Sequence, residues 1–136
     1  MESQSFDSAE LSDSWIDGDD TARWRSTAGA VGEGSGSSLL EVPPGCRLPR
    51  HTDSAEEILY IVAGQAEAEV GDEHAQVKAG DLAVIPAMVP HGVRNTGDET
   101  LRVVGFFSEA EIISTFEEPL QPLGVAQMEQ GAPLPA

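Results

Sequence analysis

The 136-residue chain has one cysteine, one lysine and only seven aromatic residues. A lone Cys46 cannot form an intramolecular disulfide, so a reducing compartment is the default expectation. With Lys78 as the only lysine, the basic side is thin: 7 basic residues face 24 acidic ones, for a formal charge of −17. That balance repels phosphate backbones and anionic membrane surfaces at long range, so neither nucleic acid nor membrane is an expected partner. A helix-turn-helix segment is also missing. No apolar run approaches the ~20 residues needed to span a bilayer. The stretch Met1-Glu2-Ser3-Gln4-Ser5 lacks the basic-then-apolar pattern of a secretory leader, and a cytoplasmic location is expected. The acid excess fits either a salty cytoplasm or a lysine-depleting, high-GC genome, and says nothing about fold.

What is present suits one globular domain. Hydrophobic residues make up 40%, near the usual share, and a chain of this length can bury a core without disulfides. Residues 1–20 are acidic, with Phe6, Leu11, Trp15 and Ile16 as their large apolar anchors, and are expected to be partly flexible. Residues 21–118 form the expected body, and residues 119–136, carrying Pro119, Pro122, Pro133 and Pro135, a Pro-rich tail.

The middle of the chain reads as short strands separated by turn residues. Expected strands are Ser37–Val42, Glu57–Val62, Gln65–Val70, His74–Lys78, Leu82–Ile85, Val89–Arg94 and Leu101–Phe107. Gly64, Gly71-Asp72, Gly80-Asp81 and Asn95-Thr96-Gly97-Asp98 punctuate them, and Gly32–Ser38 reads as a flexible loop. About eight strands at such spacing argue for an all-β sandwich or closed barrel. Ser108–Glu118 reads as a short C-terminal helix, with Ser108 as N-cap, Glu109 and Glu111 in the first turn, and Ile112, Ile113 and Phe116 as an apolar stripe ended by Pro119.

Four donors stand out. His51 and Asp53 lie two apart, so an extended backbone turns both side chains to one face. Glu57 opens the next strand, and His91 follows Pro90. Imidazole and carboxylate donors together suit Fe(II), Mn(II), Zn(II), Ni(II) or Co(II), and His-x-Asp with a distant His is the ligand order of a facial triad. Taken by residue type alone, the same residues read equally as a loop histidine, a turn aspartate, a solvated acid and a core histidine. His74, in an acidic turn, is expected at the surface. Arg47, Arg50, Arg94 and Arg102 are candidate anion anchors, and Cys46 reads as a small buried hydrophobe rather than a nucleophile.

The spacing adds a further signal. Gly45, five residues, His51-x-Asp53, three residues, Glu57, six residues and Gly64 resemble the first motif of the cupin superfamily, with Asp53 where the family usually has His. Gly80, five residues, Pro86, then His91, three residues and Asn95 resemble its second motif, with Met88 where the family usually has Gly. Fifteen residues separate Gly64 from Gly80, as in a small single-domain cupin, and flanking strands extend the likeness to roughly residues 34–118. The resemblance implies a double-stranded β-helix, or jelly-roll, barrel. It implies His51, Asp53, Glu57 and His91 as ligands of one divalent transition metal, and a homodimer. Asp53 adds a second carboxylate to the implied ligand set, and Met88 places an apolar side chain near the mouth of the site.

The expected function is a metal-dependent enzyme acting on a small molecule, with a mononuclear Fe(II) dioxygenase as the favoured form. The alternatives are a Zn, Mn or Ni Lewis-acid isomerase, cyclase or lyase with Glu57 as catalytic base, or a non-catalytic small-molecule-binding cupin.

Overall fold

The computed structural model describes residue 1 and residues 3–130; the part of the Pro-rich tail holding Pro133 and Pro135 lies outside the described residues. Among the described residues twelve strands run in chain order: β1 (Ser12–Ile16), β2 (Asp19–Ala28), β3 (Gly36–Val42), β4 (Arg47–Asp53), β5 (Glu57–Ala63), β6 (Gln65–Val70), β7 (Glu73–Lys78), β8 (Leu82–Ile85), β9 (His91–Asn95), β10 (Leu101–Phe107), β11 (Ile112–Leu120) and β12 (Val125–Gln130). They form two six-stranded antiparallel sheets, ordered β1-β2-β3-β10-β5-β8 and β12-β11-β4-β9-β6-β7. Facing sheets of this kind make the jelly-roll barrel, with the core between them. No helix among the described residues is long and apolar enough to cross a membrane.

Alternation along each strand decides what goes inside. On β5, Glu57, Leu59 and Ile61 are buried, while Ile58 and Val62 are exposed. On β10, Leu101, Val103 and Phe107 are buried and Phe106 is exposed. Ile61, Leu101, Val42 and Val103 are the largest fully buried side chains. Truncating Ile61 to Ala would cost about 2–5 kcal/mol, because a close-packed interior cannot refill the hole.

The expected C-terminal helix is corrected. Ile112–Leu120 is strand β11, paired with β4 on one side and β12 on the other. Ile112, Ser114 and Phe116 point inward, and Ile113 is 44% exposed. The stripe of Ile112, Ile113 and Phe116 fits a helix, but the alternation that includes Ser114 fits a strand, and β-branched Ile112, Ile113 and Thr115 favour extended backbone. Val125–Gln130, beyond the prolines, is strand β12, and Ser12–Ile16, inside the acidic N-terminal segment, is strand β1. The bridge between Trp15 and Gln121 ties β1 to the end of β11 across the two sheets.

Two loop features hold the second motif in place. Asn95 is buried; its side-chain amide donates to the carbonyls of Val42 and Glu99, and its Oδ1 accepts from the Gly97 N–H. It fastens the β9–β10 turn to β3. Met88 has φ +65°, a left-handed conformation that favours glycine, and its N–H donates to the Asp53 carbonyl. Its side chain is 62% exposed, so the backbone of Met88, rather than its side chain, braces the site.

Candidate metal centre

β4 and β9 lie side by side with His51 opposite His91, and β11 sets Ser114 opposite Asp53 and Phe116 opposite His51. The register between β4 and β9 shifts between Leu48 and His51, where Gly92 lets the strands approach. A Cβ on Gly92 would come within 2.7 Å of the Leu48 carbonyl oxygen. Three strands thus deliver the four donors. His51 and Asp53 come from β4, Glu57 from β5 and His91 from β9, all four buried inside the barrel.

The donor atoms converge. Single ligand atoms from His51, Asp53 and His91 all lie within 4.8 Å of one another. Asp53 Oδ2 is 3.6 Å from His51 Nε2 and 3.0 Å from His91 Nε2. Glu57 stands beside this group, its Oε1 3.3 Å from His91 Nε2. Gly105 makes room for it, since a Cβ there would collide with the Glu57 carboxylate.

The histidine tautomers follow from their neighbours. His51 Nδ1 lies 2.9 Å from the Pro49 carbonyl and His91 Nδ1 2.9 Å from the Val89 carbonyl. A carbonyl only accepts, so both Nδ1 atoms carry hydrogen and both Nε2 atoms face the site. Asp53 is held too, its Oδ1 accepting a 2.5 Å bond from the Ser114 hydroxyl. Phe116 stacks on His51 with centroids 4.6 Å apart, and Trp24 stacks on Phe116 at 5.5 Å.

Burial and mutual charge perturb all four residues. Burial, then the neighbouring His91, pushes the His51 pKa down to about 4. Burial opposes charge on His91 as well, but the Asp53 and Glu57 carboxylates outweigh it and push its pKa up to about 10. Burial works against the Asp53 carboxylate, yet the close His91 ring, the charge of His51 and the bond from Ser114 hold it below its usual range. Burial, with the Asp53 charge beside it, raises Glu57. Buried His91 Nε2 has no partner in hydrogen-bonding geometry, although acidic oxygens lie close. A divalent cation fits this donor set, since it would displace the His91 Nε2 proton, take up that unpartnered nitrogen and neutralise acids that are costly to bury alone.

The other sequence candidates fall elsewhere. His74 is exposed near Glu67. Arg47 pairs with Asp19, Arg50 with Glu69, Arg94 with Glu67, and Arg102 with Asp7 and Glu41, so acids already engage all four guanidinium groups. Cys46 packs half-buried against the core. The sequence reading missed Ser114 and Phe116, hidden by the helical reading of β11, and Trp24, within an unassigned strand. A period-two scan of residues 112–120 would have placed Ser114 and Phe116 on the face of Ile112.

Comparisons with known proteins agree with this picture. The chain is 36% identical to Protein SchB of Streptomyces halstedii over 79 residues, 57% of this chain and 56% of that one. It is 33% identical to Polyketide synthase CurC of Streptomyces cyaneus over 79 residues, 57% of this chain and 50% of that one. It therefore spans about half the length of these curated relatives. Its fold superposes on Bacillus subtilis oxalate decarboxylase, a protein described with Mn(II) centres, at TM-score 0.57 and 22% identity, covering 70% of this chain and 28% of that one. The family model described as "Cupin domain" matches residues 38–107, just over half of the chain. With that match, the two-sheet barrel and the donors converging inside it, the chain belongs to the cupin family.

Proposed function

We propose that this chain is a metal-dependent enzyme acting on a small carbonyl-bearing molecule. In this reading His51, Asp53 and His91 hold one divalent ion, and Glu57 moves a proton beside it. The observation that carries the reading is the convergence of two Nε2 atoms and a carboxylate within 4.8 Å in a buried site. A divalent ion bound there supplies Lewis acidity, polarising a carbonyl oxygen. The protein does the rest. Pro49 and Val89 fix the imidazole planes, and Ser114 fixes Asp53. Phe116 and Trp24 keep water from the back of His51. Glu57 is placed to accept and return a proton at Oε1, and burial raises its carboxyl above the ordinary range, which makes it a stronger base. A polyketide synthase among the relatives and a decarboxylase among the structural neighbours favour carbonyl chemistry with Mn or Zn.

The second reading is an Fe(II) dioxygenase. It draws on the grouping of two histidines and one carboxylate, with Glu57 to one side, which matches a facial triad. Metal analysis of the purified protein, with oxygen uptake over a panel of 1,3-dicarbonyls and aromatic diols, separates the two. Retained Mn or Zn without oxygen uptake is the expected result. Iron with oxygen uptake replaces the first reading with the second, and failure to bind any divalent ion removes both. His91→Ala and Asp53→Ala should abolish metal retention. Glu57→Gln should keep the ion and lower turnover more than about 100-fold.

For the macromolecular partner we propose a second copy of the chain, in a location such as the cytoplasm where Cys46 stays reduced. The outer face of β10, β5 and β8 carries two uncharged cross-strand rows, Phe106–Ile58–Val84 and Val104–Tyr60–Leu82. Leu82 is 65% exposed there, and β8 ends its sheet. On a chain of charge −17, this neutral face is where a like-charged copy can approach closely.

A further inference from the structure

The cavity at the metal centre is small. It offers about 60 Å³, room for about four water-sized groups. Sites that take small organic molecules usually offer about 300–1,000 Å³. The head of a substrate fits beside His51 and His91; its body must lie elsewhere.

A second hollow supplies the missing space. A groove of about 410 Å³ opens between the edges of the two sheets, walled by β1 and β2 on one side and by the end of β11 and β12 on the other. The groove and the metal-centre cavity share three lining residues, Ser26, Met128 and Gln130. Leu123 and Val125 line it while 78% and 42% exposed, so large apolar side chains face its open volume. Its only charged lining residues among those described are Asp13 and Glu129, both acidic, which disfavours a phosphate or carboxylate there. A hydrogen-bonded line also joins groove to metal centre. Gln130 Nε2 donates to Ser114 Oγ at 3.3 Å, and Ser114 Oγ donates to Asp53 Oδ1 at 2.5 Å.

Building on the metal-dependent function proposed above, we infer that this groove seats the apolar body of the substrate, with Gln130, Met128 and Ser26 forming the threshold to the metal centre. The substrate class is then an elongated amphipathic molecule, with carbonyl or enol oxygens at one end and a neutral apolar body at the other. Anionic carriers and compact polar acids are disfavoured.

Calorimetry on the Mn(II)-loaded protein tests this with two probes, acetylacetone and 1-phenyl-1,3-butanedione. They share the dicarbonyl head, and the second adds a neutral ring. The ring should tighten binding about ten- to a hundredfold, as burying one aromatic side chain does. Leu123→Asp, at an exposed turn position, should erase that gain and leave acetylacetone binding unchanged. A third probe, neutral N-phenyl-1-naphthylamine, reports on the groove by fluorescence without any metal. The phenyl diketone should displace it and acetylacetone should not. Equal affinity for the two diketones, or dye that the phenyl diketone fails to displace, overturns the groove assignment and leaves the metal reading standing. Loss of metal and of acetylacetone binding, with the dye still bound, instead overturns the metal reading on which the groove's role rests.

Discussion

Ser114 donates a 2.5 Å hydrogen bond to Asp53 across the β11–β4 pair, from one buried side chain to another. That bond fixes which Asp53 oxygen faces the histidines. Oδ1 is engaged, and Oδ2 lies 3.0 Å from His91 Nε2. Ser114→Ala should therefore weaken divalent-metal affinity about 10- to 100-fold, the usual effect of removing a partner behind a ligand. Competition against a chromophoric chelator measures this. Affinity within twofold of wild type would show that Asp53 does not depend on Ser114.

The His91 proton sets a pH trend in the metal-free protein. Its pKa rises from 6.5 in the open chain to about 10 when folded. Below pH 6.5 both states hold the proton and the stabilisation is whole. Between 6.5 and about 10 only the folded state holds it, so stability drains away as pH rises. Glu57, also raised, acts in the same direction. Urea midpoints of the metal-free protein should fall steadily over that window. A midpoint that is flat or climbs there would contradict the assignment of charge to His91.

Met88→Gly should stabilise the fold by about 1 kcal/mol, because Met88 sits at φ +65° and a side chain pays for that conformation. The exposed side chain leaves no cavity behind. The urea midpoint should rise with an unchanged slope.

Phe106→Lys and Val84→Lys, on the apolar rows of β10 and β8, should convert a dimer into monomers in sedimentation velocity without shifting metal content. A wild-type chain that is monomeric at high micromolar concentration would remove the second copy as partner.

Much of this was legible in the sequence. Gly64, Gly80 and Pro86 bracket strands whose boundaries the structure matches closely, Gln65–Val70 and Leu82–Ile85 among them. His51 and Asp53 do share one inward face, because β4 is extended through both. The inner side of β5 was harder to read, since its two faces are both apolar and the buried one carries Glu57. Ser114 was illegible for a different reason. Polar Ser114 alternates inward with Ile112 and Phe116, but Ile112, Ile113 and Phe116 also mimic a helical stripe that masks that alternation. β12 was lost among prolines that turn the chain before it. For β5 and β11 the missing information was a partner strand far away in sequence, β10 and β4 respectively.

The aromatic stack behind His51 gives the molecule an internal optical gauge. Trp24 is buried against Phe116, which lies flat on the imidazole, whereas Trp15 is half-exposed and donates to Asp17 at the surface. The two indoles therefore emit from dissimilar surroundings. The bluer emission comes from the one coupled, through a single ring, to the face where an ion binds. Titrating a paramagnetic ion should dim the blue component first, letting occupancy be followed by light alone, with no label attached.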